Sequence, residues 1–298
     1  MSKKKQKEPK PYKKKLIKRR KPNRSIWGDI FLYLFLALAA VLMAIPLVFS
    51  VENALKPLDE LYRFPPRFFA QNPTLDNFAD LFVSMGKSWV TFPRYVFNTV
   101  FVTALGTAGH LIIASMGAFV LAKYDFPGGK TFFKIVTTAM LFNYTVMQIP
   151  NYIIINKLHL IDTYWAIIIP AIGGTTGFFL MKQFMEGLPM ALIEAAKIDG
   201  ANEWMVFSKI VMPNVKPAWL TLIIFSVQAL WNNGGTTYIY SEDKKMLACA
   251  LNQVAAGSIA RTGQQAAVNV VLMVVPIAIF IMSQSQILET MASSGIKD

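Results

Sequence analysis

The stretch EAAKIDGANEWMVFSKIVMPNVKP, residues 194–217, is polar and charged and lies between two strongly apolar segments. Pro189 suits the first turn of a helix, because the N–H that proline lacks has no partner there in any case. No helix breaker follows until Gly200, which can take the left-handed conformation that ends a helix. Asn202 is a suitable N-cap for a second short helix. The stretch therefore predicts two short helices joined at a glycine, a compact docking element that we call the knob (about residues 187–217).

The second helix of the knob is predicted to have an apolar face. Trp204, Phe207 and Ile210 lie three residues apart, which places them on one side of a helix. In the first helix, Ala195 and Ala196 are small enough to let another helix approach closely. These residue types predict a stiff element that makes contacts rather than a linker.

The composition is typical of one integral membrane domain. The chain has 298 residues, of which 54% are hydrophobic, and a mean hydropathy of +0.41. The net charge of +13 is almost confined to residues 1–24, where ten Lys and three Arg face the single acidic residue Glu8. No basic folded face follows this tail, which argues against nucleic acid as a partner, whereas anionic lipid headgroups would attract it.

Six apolar segments are long enough to cross a bilayer, which takes about 20 residues each. They lie near Ile30–Val51, Tyr95–Ala122, Ile135–Ile155, Tyr164–Met181, Ala218–Tyr240 and Ala266–Leu288. The basic tail before the first segment predicts a cytoplasmic N-terminus by the positive-inside rule. Six crossings then place the C-terminus and the knob in the cytoplasm too. The predicted organisation is a tail over residues 1–29 and a membrane domain over 30–298, with an external loop at about 52–94.

The sequence offers no group of residues for catalysis, metal binding or ATP binding. Cys249 is the only cysteine, and His110 and His159 are isolated along the chain. No phosphate-binding glycine loop of the Walker type occurs, so a partner must bind any ATP that is used. For His110, inside a predicted span, a hydrogen bond to a neighbouring helix is expected rather than a catalytic role.

The knob resembles the EAA loop of ATP-binding-cassette importer permeases. That pattern reads EAA, three residues, Gly, nine residues, Ile, any residue and Leu-Pro. The chain has Glu194-Ala195-Ala196, Gly200, Ile210 and Met212-Pro213, with Met in place of Leu. The Asp199-Gly200-Ala201 segment is similar to that of the carbohydrate-importer branch. This branch usually has a Pro-x-Glu-Leu stretch before the loop. The chain has Pro189-Met190-Ala191-Leu192 there, without the Glu.

Other segments extend the resemblance to carbohydrate importers of the maltose type. Phe64-Pro65-Pro66 and the stretch from Asn72 to Phe78 look like the external loop of that branch, and the stretch from Ala122 to Gly128 looks like its end of span two. The likeness covers nearly all of residues 30–298. The last five residues, Ser294 to Asp298, depart from the ending common in that branch.

The resemblance implies an all-α fold of the type I importer permease, with six transmembrane helices and both termini in the cytoplasm. It also implies a bacterial plasma membrane protein that is a transport subunit and not an enzyme, and that binds no cofactor itself. The implied partners are a second homologous permease subunit, two ATPase subunits that use ATP and magnesium, and an extracellular or periplasmic sugar-binding protein. The residues expected to couple to the ATPase are Glu194, Ala195, Ala196, Asp199, Gly200, Trp204, Phe207, Ile210 and Pro213.

Polar residues inside the predicted spans are candidates for the substrate path, because such groups usually face a bundle interior or a water-filled cavity. They are Asn143, Tyr144, Gln148, Ser226, Gln228, Trp231 and Asn232. Uncharged amides and hydroxyls beside aromatic rings suit a neutral mono- or oligosaccharide. Hydrogen bonding between helices explains any one of them equally well, and Asn232 could cap the end of a helix. An importer of another solute class remains an alternative, as does a channel, although a channel does not explain the knob.

Overall fold

The computed structural model describes residues 25–86, 89–142, 144–256 and 261–294, without the side chains of Tyr144 and residues 285–294. The predicted basic tail up to residue 24 and the path candidate Asn143 lie outside these residues. Every regular element in the described part is helical, and a 3₁₀ turn lies at Glu242–Lys244. The helices are α1 Ile26–Leu55, α2 Leu58–Leu61, α3 Asp76–Gly86, α4 Phe92–Lys123, α5 Gly129–Ala139, α6 Tyr144–Lys157, α7 Trp165–Ile172, α8 Thr175–Glu186, α9 Met190–Ile198, α10 Glu203–Asn214, α11 Lys216–Trp231, α12 Leu247–Ala255 and α13 Thr262–Ser294.

The chain divides into two units, residues 1–48 and 49–298. The first contains most of α1, which is free of charged residues from Ile30 to Val48 and therefore suits a lipid environment. The second contains three apolar clusters. One joins α3, α4, α11, α12 and α13, a second joins α4, α8, α9, α10 and α11, and a third joins α4, α6, α7 and α11.

Helix α4 contributes to all three clusters and is the centre of the second unit. Its glycines let neighbouring helices come close. A Cβ added at Gly106 would lie 2.8 Å from Leu230 Cδ1 on α11, and one at Gly109 would lie 2.7 Å from Ile172 Cδ1 on α7. Small residues at such contacts are typical of helix packing in membranes, where close backbone approach replaces the hydrophobic effect.

In the described part of the chain, four helical segments are long and apolar enough to cross a membrane. They are α1, α4, Trp165–Glu186 (α7 and α8 together) and Thr262–Gln284 within α13. A fifth results if α10 and α11, which are bent by 81° at their junction, count as one crossing. The predicted fifth span, Ala218–Tyr240, is shorter than expected because α11 ends at Trp231, where Asn232 and Asn233 lead into a glycine turn.

The predicted third span, Ile135–Ile155, is two helices rather than one. Helix α5 has 11 residues and α6 has 14, and a turn separates them. The hydroxyl of Thr138 donates to the carbonyl of Lys134 at 2.8 Å, and that of Thr137 donates to Phe133 at 3.0 Å. Such bonds back to the preceding turn compete with the backbone ladder and often bend helices. Helix α5 ends directly after these two threonines.

Candidate functional site

The knob has the predicted form of two short helices joined at a glycine. Gly200 has φ +85°, and the N–H of Ala201 donates to the carbonyl of Ala196 at 2.9 Å, which closes the end of α9. Asn202 is the N-cap of α10, and its side chain accepts a hydrogen bond from the Met205 N–H at 2.8 Å. The predictions at Gly200 and Asn202 each rested on one residue with a special backbone preference, and the structure confirms both. Pro189, predicted in the first turn, is instead the N-cap residue that precedes Met190.

The second helix of the knob differs from the predicted regular helix, because Val206–Val211 forms a π-helical turn. Phe207 is buried, and its ring centroid lies 5.6 Å from that of Phe119 on α4. Trp204, in contrast, is 63% exposed, although its ring still contacts Phe207 at 5.6 Å. The π turn changes the angular register of the side chains. The predicted apolar face is therefore divided into a buried anchor and an exposed aromatic ring.

The outward surface of the knob contains most of the predicted coupling residues. Exposed side chains or backbone are found at Glu194, Ala195, Asp199, Gly200, Trp204 and Pro213, while Ala196 and Ile210 are half-buried. Ile198 is 87% exposed and is not among the predicted coupling residues. Its position four residues after Glu194, on the same side of α9, is the signal that could have indicated it.

Polar contacts join the knob to the end of α4. Lys123 Nζ donates to the carbonyl of Leu188 at 2.6 Å, at the start of the knob. Lys197 Nζ lies 2.6 Å from Glu203 Oε1, and the hydroxyl of Tyr124 donates to Glu203 Oε2. The hydrogen bond to Glu203 raises the pKa of Lys197 above its ordinary value, so this ammonium stays charged. None of these contacts was predicted from the sequence.

A cavity of about 380 Å³ lies within the second unit. Its polar lining residues are His110, Asn151, Thr176, Ser226, Asn233 and Tyr238, and none of the described residues that line it is charged. His110 Nε2 lies 3.0 Å from the carbonyl of Gly174, and its Nδ1 lies 2.9 Å from Ser226 Oγ. Because a carbonyl only accepts, Nε2 carries the proton, and Ser226 donates to Nδ1 in the neutral ring. The expected hydrogen bond from His110 to a neighbouring helix is thus confirmed.

The other path candidates with described side chains do not line this cavity. Trp231 is buried, and its indole N–H donates to the carbonyl of Leu272 on α13 at 3.1 Å. Asn232 occupies the C-cap position of α11, and its Nδ2 donates to the carbonyl of Gln228 at 3.0 Å. Gln148 is half-buried on α6. Gln228 is exposed on α11. Among the path candidates whose side chains the structure describes, Ser226 is the one at the cavity wall.

A second polar cluster orders the loop between α11 and α12. The carboxylate of Asp162 accepts from the N–H groups of Tyr240 at 3.0 Å and Ser241 at 2.9 Å, and it pairs with Lys244 at 3.2 Å. Burial alone would raise the pKa of Asp162, but the hydrogen bonds from Ser241 and Tyr240 hold it below its ordinary value. Asn98 holds the same loop from α4, since its Nδ2 donates to two loop carbonyls at 2.9 Å each.

Comparisons with known proteins agree with one another. The profile of the family described as "Binding-protein-dependent transport system inner membrane component" matches residues 19–292. The arabinooligosaccharides transport system permease protein AraQ of Halalkalibacterium halodurans is 32% identical over 199 residues, which are 66% of this chain and 70% of AraQ. The polygalacturonan/rhamnogalacturonan transport system permease protein YtcP of Bacillus subtilis is 29% identical over 215 residues, 72% of this chain and 73% of YtcP. A chain in the crystal structure of a bacterial ABC transporter that imports the acidic polysaccharide alginate superimposes with a TM-score of 0.69 at 21% identity, covering 89% of this chain and 99% of that one.

Proposed function

Because this chain belongs to the family of binding-protein-dependent transport system inner membrane components, we propose that it is the permease subunit of an ATP-driven importer of a neutral mono- or oligosaccharide. The family consists of transport subunits of bacterial membranes and not of enzymes, and ATP is used by a partner ATPase. Saccharides are the proposed cargo because the similar permeases AraQ and YtcP are named for them. The observation that carries the proposal is the knob, which projects the EAA pattern on a stiff, anchored pair of helices.

The knob is proposed to seat in a cleft on the ATPase and to transmit its closure to the membrane helices. Glu194 and Asp199 offer carboxylates on the exposed side, while Ile198 and Trp204 offer exposed apolar surface. Phe207 anchors the knob in the apolar cluster between α4 and α8. A partner that pushes on the exposed side therefore moves a packed unit instead of a flexible loop, which would absorb the displacement.

The proposed topology has six crossings with both termini in the cytoplasm. The α5–α6 pair would make the third crossing, and α11 with the preceding bend would make the fifth. The tail of residues 1–29 precedes a membrane domain of 30–298, and residues 52–94 form the external loop. The net charge of +12 on residues 1–24 supports this orientation. The proposed partners are a second homologous permease subunit, two ATPase subunits and an external sugar-binding protein.

A neutral cargo is favoured by the uncharged lining of the cavity near Ser226. Hydroxyl and amide groups can both donate to and accept from the hydroxyls of a sugar, and they do not compensate a carboxylate. An acidic saccharide is the second candidate, because YtcP is named for polygalacturonan and rhamnogalacturonan and the similar solved transporter for the acidic polysaccharide alginate. The two candidates differ in one measurable respect, the charge of the oligosaccharide that is taken up.

The test is uptake by the full complex in proteoliposomes with its partner permease, ATPase and binding protein. Neutral oligosaccharides and uronate oligosaccharides of equal length are compared. We expect ATP-dependent uptake of the neutral set, and uptake of the uronate set alone would overturn that assignment.

Glu194→Ala combined with Gly200→Val should abolish co-purification of the ATPase, whereas Asp59→Ala, which removes an exposed carboxylate from α2 outside the knob, should not. An unchanged ATPase yield for the double variant would contradict the proposed role of the knob.

A further inference from the structure

We propose that Tyr124, Lys197 and Glu203 (the Tyr124 triad) hold the two helices of the knob at a fixed angle and tie them to the end of α4. This inference rests on the proposed function of the knob as the contact to the ATPase. It assigns three positioning residues to the coupling step, none of which belongs to the EAA pattern.

The triad joins three separate elements of the second unit. Tyr124 directly follows α4, Lys197 lies in the last turn of α9, and Glu203 begins α10. Both carboxylate oxygens of Glu203 are used, Oε1 by Lys197 Nζ at 2.6 Å and Oε2 by the hydroxyl of Tyr124. Lys197 Nζ also lies 3.3 Å from the Tyr124 hydroxyl and 5.1 Å from the centre of its ring. Each member thus contacts the other two.

The position of the triad matches the weakest point of the knob. Helices α9 and α10 are joined through Gly200, which is exposed and would have no atom within 4 Å of an added Cβ. Tertiary packing therefore does not brace the glycine itself, and a glycine is the residue whose backbone turns most freely. Lys197 and Glu203 lie on either side of this hinge, three residues away in each direction. Their ion pair therefore fixes the angle between the two helices.

Tyr124 connects the Lys197–Glu203 ion pair to the apolar core. Its ring centroid lies 5.5 Å from that of Phe119 on α4, which in turn contacts the ring of Phe207 at 5.6 Å. The α4 end is also tied to the start of the knob by Lys123 and the Leu188 carbonyl. A displacement of either knob helix is therefore passed to α4 by contacts at the start of the knob and around its glycine.

The ion pair of the triad is exposed, so we expect it to affect the orientation of the knob helices and not the stability of the fold. The side chain of Lys197 is 36% exposed and that of Glu203 is 59% exposed. Ion pairs this exposed contribute little to the stability of the folded state. We therefore expect substitutions in the triad to leave expression and assembly unchanged and to affect the transfer of motion from the ATPase.

The experiment is a charge exchange in the purified complete importer. Lys197→Glu and Glu203→Lys are made singly and together, Tyr124→Phe is made alone, and Lys130→Glu is the matched charge change at an exposed lysine outside the knob. Uptake and ATP hydrolysis are measured in the same proteoliposomes, and co-purification of the ATPase reports assembly.

Each single charge reversal should lower the uptake per ATP hydrolysed by about fivefold, the low end of the coupling found between distinct protein sites. The exchanged pair should restore most of it, because the Tyr124 hydroxyl can donate to a carboxylate or accept from an ammonium in either arrangement. Tyr124→Phe should lie between wild type and the single reversals, and Lys130→Glu should match wild type. Wild-type coupling in the single reversals, no recovery in the exchanged pair, or an equal loss in Lys130→Glu would overturn the proposal. Failure of the wild-type complex to retain its ATPase would instead contradict the proposed function.

Discussion

Replacement of Gly200 tests the knob most directly, because its effect comes from the backbone alone. Gly200 has φ +85°, and a Cβ there would meet no atom within 4 Å. An L-residue in this left-handed region costs about 1–2 kcal/mol, with Asn tolerated better than most. A β-branched residue is a more severe outlier there. The expected loss of uptake is therefore smallest for Gly200→Asn, larger for Gly200→Ala and largest for Gly200→Val.

The strain can be relieved only by opening the turn between α9 and α10. That opening gives up the hydrogen bonds from Ala201 N–H to Ala196 O at 2.9 Å and from Gly200 N–H to Lys197 O at 3.0 Å. A change of 1–2 kcal/mol alters such an equilibrium by a factor of about 5–30. Gly200→Val should thus greatly reduce the fraction of complexes with a closed knob, and uptake should fall with it.

The assay is ATP-dependent uptake at equal amounts of reconstituted complex. Gly128→Ala is the matched control, since Gly128 has φ +92°, also meets no atom within 4 Å, and lies outside the knob. It introduces the same kind of strain at another turn. Wild-type uptake by Gly200→Val, or the same loss in Gly128→Ala as in Gly200→Ala, would refute the reasoning.

Three further predictions concern the membrane cavity and the loop between α11 and α12. Gly177→Ala places a Cβ 2.5 Å from His110 Nε2, and such overpacking should destabilise the purified complex by about 1–3 kcal/mol, seen as a lower Tm. Ser226→Ala removes the donor to His110 Nδ1 and should cost about 0.5–1.5 kcal/mol in the same melt; an unchanged Tm would contradict that hydrogen bond. Asp162 has a pKa held below its ordinary value, so its contribution is present at neutral pH and is lost as the pH falls below about 4. Asp162→Asn should therefore flatten the fall of Tm on acidification, and an unchanged pH profile would contradict the assignment.

The sequence predicts those parts of the fold that depend on neighbouring residues. The end of α9 at Gly200 and the N-cap at Asn202 follow from the backbone preferences of single residues. Helices α1, α4 and α13 follow from long apolar segments, whose burial in lipid requires little knowledge of their neighbours. Hydropathy also marks Ile135–Ile155 as apolar enough to span a bilayer. It does not detect that the hydroxyls of Thr137 and Thr138 compete for backbone carbonyls near the end of α5.

Contacts between distant segments were not predictable from one sequence. Tyr124 and Glu203 are 79 residues apart, and nothing in the spacing of either indicates the other. The division of the apolar face between buried Phe207 and exposed Trp204 depends on a π turn, which has no simple sequence signature. The placement of Trp231 against α13 instead of the cavity likewise depends on how whole helices pack.

The break between α5 and α6 has a consequence for how this protein is made. With 11 and 14 residues, the two helices are about 16 Å and 21 Å long, and each is shorter than the roughly 30 Å of hydrocarbon. Neither helix alone presents the insertion machinery with a segment that partitions into lipid by its own length. In the proposed topology, where the pair forms the third crossing, we expect it to enter the bilayer only together with other helices of the chain. The ring of Phe133 stacks on that of Phe179 of α8, at 6.0 Å between ring centroids. Because α8 follows the pair in the chain, this contact forms only after α8 has been synthesised.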